Sequence, residues 1–346
     1  MEAGELSRKK KALFGAITVC AFFLLAEGIA RLAVPPSDPS LYKTHQDMIT
    51  VLGLPELNDV MAHDDDLFWA LKKNLSHKRV HGKIKKTPID FTVSTNSLGL
   101  RSPELRGKKE RLRILAVGNS CTFGVGVNDD KTWPARLGEV LSDRYGVDAD
   151  VVNAGVPGYT AYQGKRYLEE RGLGLRPDMV IACFGFNDAD AWGPKGDQDI
   201  AKSLSLLRWE RVLSRSRFYS ALKGLIQRSG EVLRNPMEGR RSRLLPEEFH
   251  ATLLSMSELC ASRHVPVIFV IWPFRNQKVK HNTEWTGYQP IIVRAGDDAR
   301  APVIDLVKPF LAREDALFID HIHANEAGCL LAAETIAATL EAARVR

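Results

Sequence analysis

The stretch LRILAVGNSCTFG, residues 112–124, carries the pattern that decides the fold. Its first half, Leu112–Val117, is a short apolar run of the kind that forms buried strands. Its second half places Ser120 between two glycines, Gly118 and Gly124, and such glycines allow a tight strand-to-helix turn that leaves a serine hydroxyl exposed. By itself this pattern also suits a serine that caps a helix. The stretch therefore predicts a strand, a turn and a helix, with Ser120 as a candidate nucleophile at the turn.

The chain after Lys109 repeats this alternation of short apolar runs with helical patterns. The further predicted strands are Ala149–Asn153, Asp178–Phe184, Val265–Ile271 and Pro302–Leu306, and the predicted helices are Trp133–Tyr145, Tyr162–Leu173, Pro246–Arg263 and Asn325–Ala343. Five short strands with helices between them predict an α/β fold, a three-layer, flavodoxin-like doubly wound sheet of about five parallel strands. In such a sheet, functional sites lie at the carboxyl ends of the strands.

Residues 1–36 are predicted to form a cytoplasmic tip and a transmembrane signal anchor. Four basic residues, Arg8–Lys11, precede an uncharged apolar run, Ala12–Ala26. That run alone covers about 22 Å as a helix, less than the roughly 30 Å of a bilayer core. The apolar pattern then resumes, and Glu27 and Arg31 are spaced to pair on one helix face. The basic cluster is expected to stay in the cytoplasm, which puts the rest of the chain outside.

A cleaved signal peptide is the alternative for this segment. Its best small-x-small cleavage site, Gly28–Ala30, is a poor one. Continuation of the apolar pattern to Val34 favours an uncleaved anchor, and Pro35 and Pro36 are predicted to end the helix.

The predicted organisation continues with a polar lead-in over residues 37–109 and a catalytic domain over residues 110–346. The lead-in contains an alternating segment, Ile89–Ser94, and is expected to form a small strand-containing region packed on the main domain. Within the main domain, residues 195–245 break the alternation of strands and helices. This helical insertion is either a lid or flank over the site or a solvated helical hairpin.

Composition argues against several classes of protein. The 346 residues carry a net charge of +6, and the excess lies between Lys195 and Arg243, with twelve Lys and Arg against five Asp and Glu. No helix-turn-helix, zinc-finger or RNA-binding signature accompanies this basic stretch, so no nucleic-acid partner is expected. Five scattered cysteines without C-x-x-C spacing indicate no metal or redox site. We therefore expect no cofactor.

Two further motifs follow predicted strands and supply hydrogen-bond donors. NAGVPG, residues 153–158, can offer the backbone N–H of Gly155 to an oxyanion, or it is a plain turn. FGFND, residues 184–188, can offer the side-chain amide of Asn187, a neutral donor suited to charge that develops only in a transition state. An asparagine that caps the next helix is the alternative reading of Asn187.

The motif DHIH, residues 320–323, directly precedes the last predicted helix. Its spacing lets Asp320 orient the ring of His323, which can then take a proton from a serine. Two histidines and an aspartate also suit zinc, but the sequence indicates no fourth ligand, so no metal is expected. His321 is predicted to be structural.

Together and in this order, these blocks resemble the SGNH (GDSL-like) hydrolase family, in its bacterial membrane-anchored form. The resemblance covers Leu112–Arg346, and the turn NSLGLR at residues 96–101 is similar to the lead-in of anchored relatives. It implies the SGNH hydrolase fold and a triad of Ser120 as nucleophile, His323 as base and Asp320 as orienting carboxylate. It also implies an oxyanion hole formed by the N–H of Ser120, the N–H of Gly155 and the side chain of Asn187.

Two positions depart from a simple match. Position 119 is Asn, where the family usually has Asp, and this puts the local hydrogen bonding in doubt. Cys121 follows the proposed nucleophile directly and is a rival thiol nucleophile.

The resemblance implies a serine-dependent acyl-ester hydrolase or O-acyltransferase that acts outside the cytoplasm through an acyl-serine intermediate. Acylated cell-surface or exopolysaccharide sugars are the expected substrates, with the membrane contacted through the N-terminal helix. The alternatives are a lipid esterase or lysophospholipase, and a non-catalytic glycan-binding or assembly protein that retains the fold.

Overall fold

The computed structural model describes residues 7–34, 49, 54–84, 87–107, 111–191, 195–202, 209, 212–231, 241–278, 287–313 and 316–344. The chain forms two compact units, one of Met1–Lys43 with Ser203–Glu238 and one of Thr44–Lys202 with Gly239–Arg346. The helices are α1 (Arg8–Ala33), α2 (Ser120–Phe123), α3 (Trp133–Tyr145), α4 (Ala161–Tyr167), α5 (Phe186–Ala189), α6 (Asp197–Lys202), α7 (Arg217–Glu231), α8 (Pro246–Ala261), α9 (Gln289–Ala299), α10 (Val307–Leu311) and α11 (Glu326–Arg344). The strands are β1 (Met61–Asp64), β2 (Phe68–Leu71), β3 (Lys78–Ile84), β4 (Thr87–Val93), β5 (Leu112–Gly118), β6 (Ala149–Gly155), β7 (Met179–Cys183), β8 (Val267–Ile271) and β9 (Val303–Asp305).

The second unit is built on a five-stranded sheet in the order β6-β5-β7-β8-β9. Every pairing in this sheet is parallel. This is the flavodoxin-like order, in which the second strand precedes the first and the rest follow in sequence. The predicted doubly wound fold is confirmed. The strand order reverses between β5 and β7, so the carboxyl ends of these two strands border the crevice where such folds bind ligands.

The helix α9 was not predicted, because its sequence is a weak helix former. It contains three consecutive β-branched residues at positions 291–293 and a glycine, Gly296, all of which lower helix propensity. Tertiary contacts compensate for the low helix propensity of this segment. Ile292 is buried, and a Cβ atom at Gly296 would lie 2.2 Å from Val303 Cγ2, so glycine allows α9 to pack closely on β9.

The described part of the lead-in forms two antiparallel hairpins, β1–β2 and β3–β4. The alternation predicted for the later segment is observed, because the side chains of every second residue in β4 are buried, at Ile89, Phe91 and Val93. The first hairpin contacts the loop that follows β6. Trp69 Nε1 donates a hydrogen bond to the Pro157 carbonyl at 2.9 Å, and the Tyr159 hydroxyl donates to the Trp69 carbonyl at 2.6 Å. The domain boundaries at residues 36, 109 and 195–245 stay predictions.

Arg101, the last residue of the NSLGLR turn, ties the lead-in to the nucleophile segment. Its side chain is buried, and its guanidinium donates five hydrogen bonds of 2.7–2.9 Å. The acceptors are the Asp129 carboxylate and the carbonyls of Phe123, Gly124, Thr92 and Val127. Two of these carbonyls close the helix α2, so Arg101 fixes the backbone that follows Ser120.

We expect Arg101→Lys to destabilise the second unit by roughly 3–5 kcal/mol, because lysine has too few donors for these buried acceptors. Urea unfolding followed by circular dichroism measures the change. Arg79→Lys is the matched control, since Arg79 pairs with Asp90 on an exposed hairpin surface and the variant should unfold at nearly the wild-type midpoint. Equal midpoints for both variants would contradict the role of Arg101.

The first unit contains α1, an apolar helix of 26 residues near the N-terminus that is long enough to cross a membrane. Its large apolar side chains are exposed along the helix, among them Leu13, Phe14, Ile17, Phe22, Leu24 and Ile29. The predicted pair is present, because Arg31 Nε donates to Glu27 Oε1 at 2.8 Å. The predicted helix stop at Pro35 and Pro36 lies outside the described residues.

Candidate active site

Three of the predicted site residues meet in the structure. Ser120 begins α2 directly after β5, and His323 lies in the loop before α11. The His323 Nε2 atom lies 2.9 Å from Ser120 Oγ, and His323 Nδ1 lies 2.8 Å from Asp320 Oδ2. Hydroxyl, imidazole and carboxylate thus form one continuous hydrogen-bonded relay.

The Asp320 carboxylate is held in its ionised form. Burial alone would raise its pKa, but the His323 side chain and the backbone N–H groups of Ile322 and His323 outweigh burial and hold the pKa well below the usual range. These two N–H groups donate to Oδ1 at 2.8 and 2.7 Å, which leaves Oδ2 for the histidine ring. An ionised carboxylate at Nδ1 keeps the ring proton there and leaves Nε2 free to accept the Ser120 proton.

The turn before Ser120 is capped by its neighbour. Asn119 Oδ1 accepts a hydrogen bond from the Cys121 N–H at 2.9 Å, so Asn119 is the N-cap of α2. Ser120 therefore does not act as the cap, and its hydroxyl contacts His323 instead. Because Ser120 is the first residue of the helix, its own N–H has no intrahelical acceptor.

The rival nucleophile Cys121 points away from this relay. Its side chain is buried, with Sγ 3.8 Å from the Ile322 carbonyl oxygen. Burial raises the pKa of its thiol well above the usual range. Since the thiolate is the reactive form of cysteine, this environment disfavours Cys121 as a nucleophile.

Gly155 lies against the nucleophile helix, but its N–H already has an acceptor. A Cβ atom here would lie 2.2 Å from the Phe123 nitrogen, so only glycine fits. The Gly155 N–H donates to Asn153 Oδ1 at 2.9 Å, which contradicts the expectation that it is free for an oxyanion. Gly158, in the same motif, has a positive φ of 81° and is partly exposed, and its N–H makes no hydrogen bond within the described residues. The structure favours Gly158 as the backbone donor from this motif.

Asn187 lies in α5 and contacts Tyr159, the residue that follows Gly158. Its Nδ2 donates one hydrogen bond to the Tyr159 carbonyl at 2.9 Å, which leaves the second amide hydrogen for a ligand. The capping alternative is not observed, because Gly185 holds the N-cap position of α5 and its N–H donates to the Asp188 carboxylate at 2.8 Å.

The buried side chain of Asp188 joins two of the motifs. Its carboxylate accepts hydrogen bonds from the N–H groups of Gly185 and of Ala161, at the start of α4. Burial raises the pKa of Asp188 to about 7, although these hydrogen bonds and the nearby Arg243 oppose the shift. Asp188 therefore fixes the position of Asn187 relative to the loop after β6.

A buried ion pair also supports this loop and was not predicted. Arg243 Nε and Nη2 donate to the two carboxylate oxygens of Asp197 at 2.9 and 2.8 Å, and Nη1 donates to the Gly158 carbonyl. Arg243 belongs to the basic stretch of the sequence, but its side chain is buried. Asp197 and Arg243, near the two ends of the insertion, thus hold Gly158 in place.

His321 makes a ring contact and a backbone hydrogen bond. Its ring packs against Phe186 with centroids 5.4 Å apart, and its carbonyl accepts a hydrogen bond from the Arg275 N–H. Among the described residues, no group of three His, Cys, Asp or Glu side chains is arranged to hold a metal ion.

Comparison with known proteins gives the family. The profile of the GDSL-like lipase/acylhydrolase family matches residues 116–330, which include the relay and all four motifs. The chain belongs to this family. The match confirms the resemblance inferred from the sequence motifs.

Proteins similar to this GDSL-like acylhydrolase include acetylxylan esterases. It is 24% identical over 243 residues to an acetylxylan esterase of Xylanibacter ruminicola, an alignment that covers 68% of this chain and 44% of that protein. The chain therefore spans less than half the length of this relative. Similar solved structures include the acetyl xylan esterase AlAXEase, at 18% identity with a TM-score of 0.46 over 66% of this chain and 100% of that one. Another is LAE5, an alpha/beta hydrolase enzyme from the metagenome of Lake Arreo, at 19% identity with a TM-score of 0.47. The match covers 68% of this chain and 98% of that one.

The departure at position 119 of this GDSL-like acylhydrolase has a local explanation. The oxygen that caps α2 is a neutral amide oxygen of Asn119, and an amide oxygen accepts the Cys121 N–H as a carboxylate oxygen would. Asn119 therefore keeps the turn closed without adding a negative charge beside Ser120.

If the second amide hydrogen of Asn187 binds an oxyanion, as the motif predicts, Asn187→Ala should slow acylation about 10²- to 10³-fold. Burst kinetics with a nitrophenyl ester measure the step. Asn96→Ala is the matched control, because Asn96 is a buried asparagine whose side-chain hydrogen bonds, among the described residues, all go to the lead-in backbone, at Leu98, Leu100 and Pro103. It should lower the melting temperature and leave the rate per folded molecule near that of the wild type. A normal acylation rate in Asn187→Ala would contradict the oxyanion role.

Proposed function

We propose that this GDSL-like acylhydrolase is a serine esterase or O-acyltransferase that works through an acyl-serine intermediate. The observation that carries the proposal is the relay from Ser120 Oγ through the His323 ring to the Asp320 carboxylate, with distances of 2.9 and 2.8 Å. A serine hydroxyl needs an adjacent base of this kind to act as a nucleophile near neutral pH. Ser120 is the nucleophile, His323 the general base, and Asp320 orients the histidine.

The reaction has two halves. In the first, Ser120 Oγ attacks the ester carbonyl carbon while His323 Nε2 takes the hydroxyl proton, and negative charge collects on the carbonyl oxygen. The N–H groups of Ser120 and Gly158 and the Asn187 amide stabilise that oxyanion. His323 then gives the proton to the leaving alcohol as its C–O bond breaks, and the acyl group stays on Ser120.

In the second half, the acyl group leaves the serine. A water molecule or a sugar hydroxyl gives its proton to His323 and attacks the acyl carbon, and the proton returns to Ser120 Oγ as the acyl–serine bond breaks. Water as the acceptor gives hydrolysis, and a sugar hydroxyl gives acyl transfer. The same residues serve both outcomes, because only the acceptor differs.

The proposed substrates are acylated carbohydrates outside the cytoplasm, such as O-acetylated cell-surface or exopolysaccharide sugars. Two observations support these substrates. The acetylxylan esterase of Xylanibacter ruminicola is named for an acetylated polysaccharide, and an N-terminal helix that crosses a membrane would hold the second unit beside the cell surface.

The test is a substrate panel with the purified full chain, with Ser120→Ala as the control. Acetylated xylo-oligosaccharides, nitrophenyl esters of increasing acyl length and lysophospholipids are compared by kcat/KM. We expect acetate release from the sugars and a kcat/KM that falls as the acyl chain lengthens. Preference for lysophospholipid would assign a lipid esterase, and glycan binding without turnover of any ester would assign the non-catalytic alternative. An acetylated glycan product in place of free acetate would identify the transferase.

We also propose that α1 anchors the chain by a single membrane pass, with the second unit on the periplasmic or extracellular side. The basic residues Arg8–Lys11 at its start and the exposed apolar side chains along it support this orientation.

For this topology, we expect a reporter fused after Pro36 to be active only outside the cytoplasm, because the basic cluster stays inside. The native chain should stay in the membrane fraction after carbonate washing. Release of a shortened chain that begins near Arg31 would show instead that the segment is a cleaved signal peptide.

A further inference from the structure

The insertion helix α7 (Arg217–Glu231) packs against α1 within the first unit. The Phe218 ring meets the rings of Phe22 and Phe23 edge to face, with centroids 6.5 and 5.9 Å apart. These aromatic contacts join a segment of the insertion to the N-terminal helix, from which it is nearly 200 residues distant in sequence.

A carboxylate of α1 caps the start of α7. Glu27 accepts hydrogen bonds from the Ser216 hydroxyl at 2.7 Å and from the backbone N–H groups of Arg217 and Phe218 at 3.2 and 3.1 Å. Arg31 Nε supplies a fourth donor. A carboxylate in an apolar helix is costly unless it is paired, and the first N–H groups of a helix need acceptors. Glu27 meets both needs at once, so the contact requires that α1 stay attached to the chain.

One face of α7 carries an apolar stripe. Phe218, Leu222, Leu225 and Ile226 follow the spacing of one helix face. Phe218 lies against α1, while the other three side chains are exposed by 47, 66 and 65%. Trp209, Val212 and Leu213, which precede α7, are also exposed. Adjacent exposed apolar side chains of this size mark an interaction surface.

The charge and the length of α7 indicate that a membrane surface covers this stripe. At about 22 Å, α7 is too short to span a bilayer, and its sequence contains Arg217, Lys223 and Arg228. The segment 212–231 has four basic residues and one acidic residue. An amphipathic helix with a basic polar face is typical of segments that lie in the plane of a membrane surface and favour anionic lipids.

The depth of the contact on α1 agrees with this arrangement. Phe22 and Phe23 precede Glu27 by four to five residues, about 6–8 Å along the helix. Interfacial helices bury their apolar face about 5–10 Å into the boundary between headgroups and acyl chains. Phe218 would therefore lie at that boundary when Glu27 lies at the headgroup level.

We infer that α7 is a second membrane-contacting element, an interfacial helix that docks on the retained anchor α1 and lays its apolar stripe into the outer leaflet. This inference rests on the proposed membrane location of α1. It assigns the insertion neither as a lid nor as a solvated hairpin, but as a lipid-binding support for the anchor.

Spin-label accessibility in the full chain tests the inference. In a Cys20→Ser background, where the other four cysteines are buried, nitroxides are placed by Leu222→Cys or Leu225→Cys on the stripe and by Gly224→Cys on the polar side. A Cβ atom at Gly224 meets nothing within 4 Å, so this site accepts a label. The chain is reconstituted in vesicles of phosphatidylcholine and phosphatidylglycerol. We expect the stripe labels to be accessible to oxygen and protected from a water-soluble nickel chelate, and the Gly224 label to show the reverse.

If the labels on both faces of α7 were equally accessible to the nickel chelate in chains that float with the vesicles, the inference about α7 would be overturned. The proposal that α1 is an anchor would be unaffected. Chains that do not float would overturn the location of α1 as well. Glu27→Ala, which removes the cap, should raise nickel accessibility at the stripe labels, and an unchanged pattern would contradict docking through Glu27. Hydrolysis of a soluble nitrophenyl ester, measured on each variant, reports separately on the proposed esterase.

Discussion

Replacement of Ser120 or His323 by alanine is expected to lower kcat for a short-chain nitrophenyl ester by roughly 10⁴- to 10⁶-fold. The two residues act as one unit, because the hydroxyl is a weak nucleophile until the imidazole takes its proton. The double variant should therefore lose no more than either single variant. Folding should survive, since both side chains are partly exposed.

Matched controls come from the adjacent positions. His321→Ala removes a histidine of the same motif that contacts Phe186, and Cys121→Ala removes the thiol next to Ser120. Both should keep most of the turnover per folded molecule. If Ser120→Ala kept more than about a tenth of the activity, the loss would be too small for a nucleophile and the assignment would be refuted. If Cys121→Ala were inactive as well, the thiol of Cys121 would be the nucleophile.

Asp320→Asn is expected to lower kcat by about 10⁴-fold while the geometry of the loop is kept. Two backbone N–H groups donate to Asp320 Oδ1, so the amide oxygen of the variant would occupy that position and its NH₂ group would face His323 Nδ1. The ring would then carry its proton on Nε2, where it cannot accept the proton of Ser120. The loss thus arises from the wrong tautomer and not from a missing side chain.

Asp305→Asn is the control for this substitution, because Asp305 Oδ1 also accepts a nearby backbone N–H, that of Val307. Its steady-state kinetics should match the wild type. If Asp320→Asn turned over the ester at a rate close to that of the wild type, Asp320 would not be the orienting carboxylate.

The sheet and the relay were predictable because their signals are local. Each buried strand is a short apolar run, and each motif directly follows a strand or precedes the last helix, so the rule for parallel sheets brings the motifs together. The predicted bounds of α3 agree with the structure, since Pro134 and Gly146 mark its ends.

The remaining features depend on contacts that no local pattern encodes. Arg243 looks like one more basic residue of the insertion, and only the fold shows that it pairs with Asp197, 46 positions away, and supports Gly158. Gly155 was the donor predicted from this motif, and only the structure shows that the side chain of Asn153 accepts its N–H. The sequence likewise could not predict that α7 packs against α1, because an amphipathic pattern does not identify the element that contacts its apolar face.

The most direct test of the central claim is covalent labelling of the full chain with a fluorophosphonate probe, followed by mass spectrometry of the modified peptide. The probe reacts with a serine only when an adjacent base activates it. We predict a single adduct on Ser120, which is lost in Ser120→Ala and strongly reduced in His323→Ala. An unlabelled wild-type chain, or an adduct on any residue other than Ser120, would contradict the account.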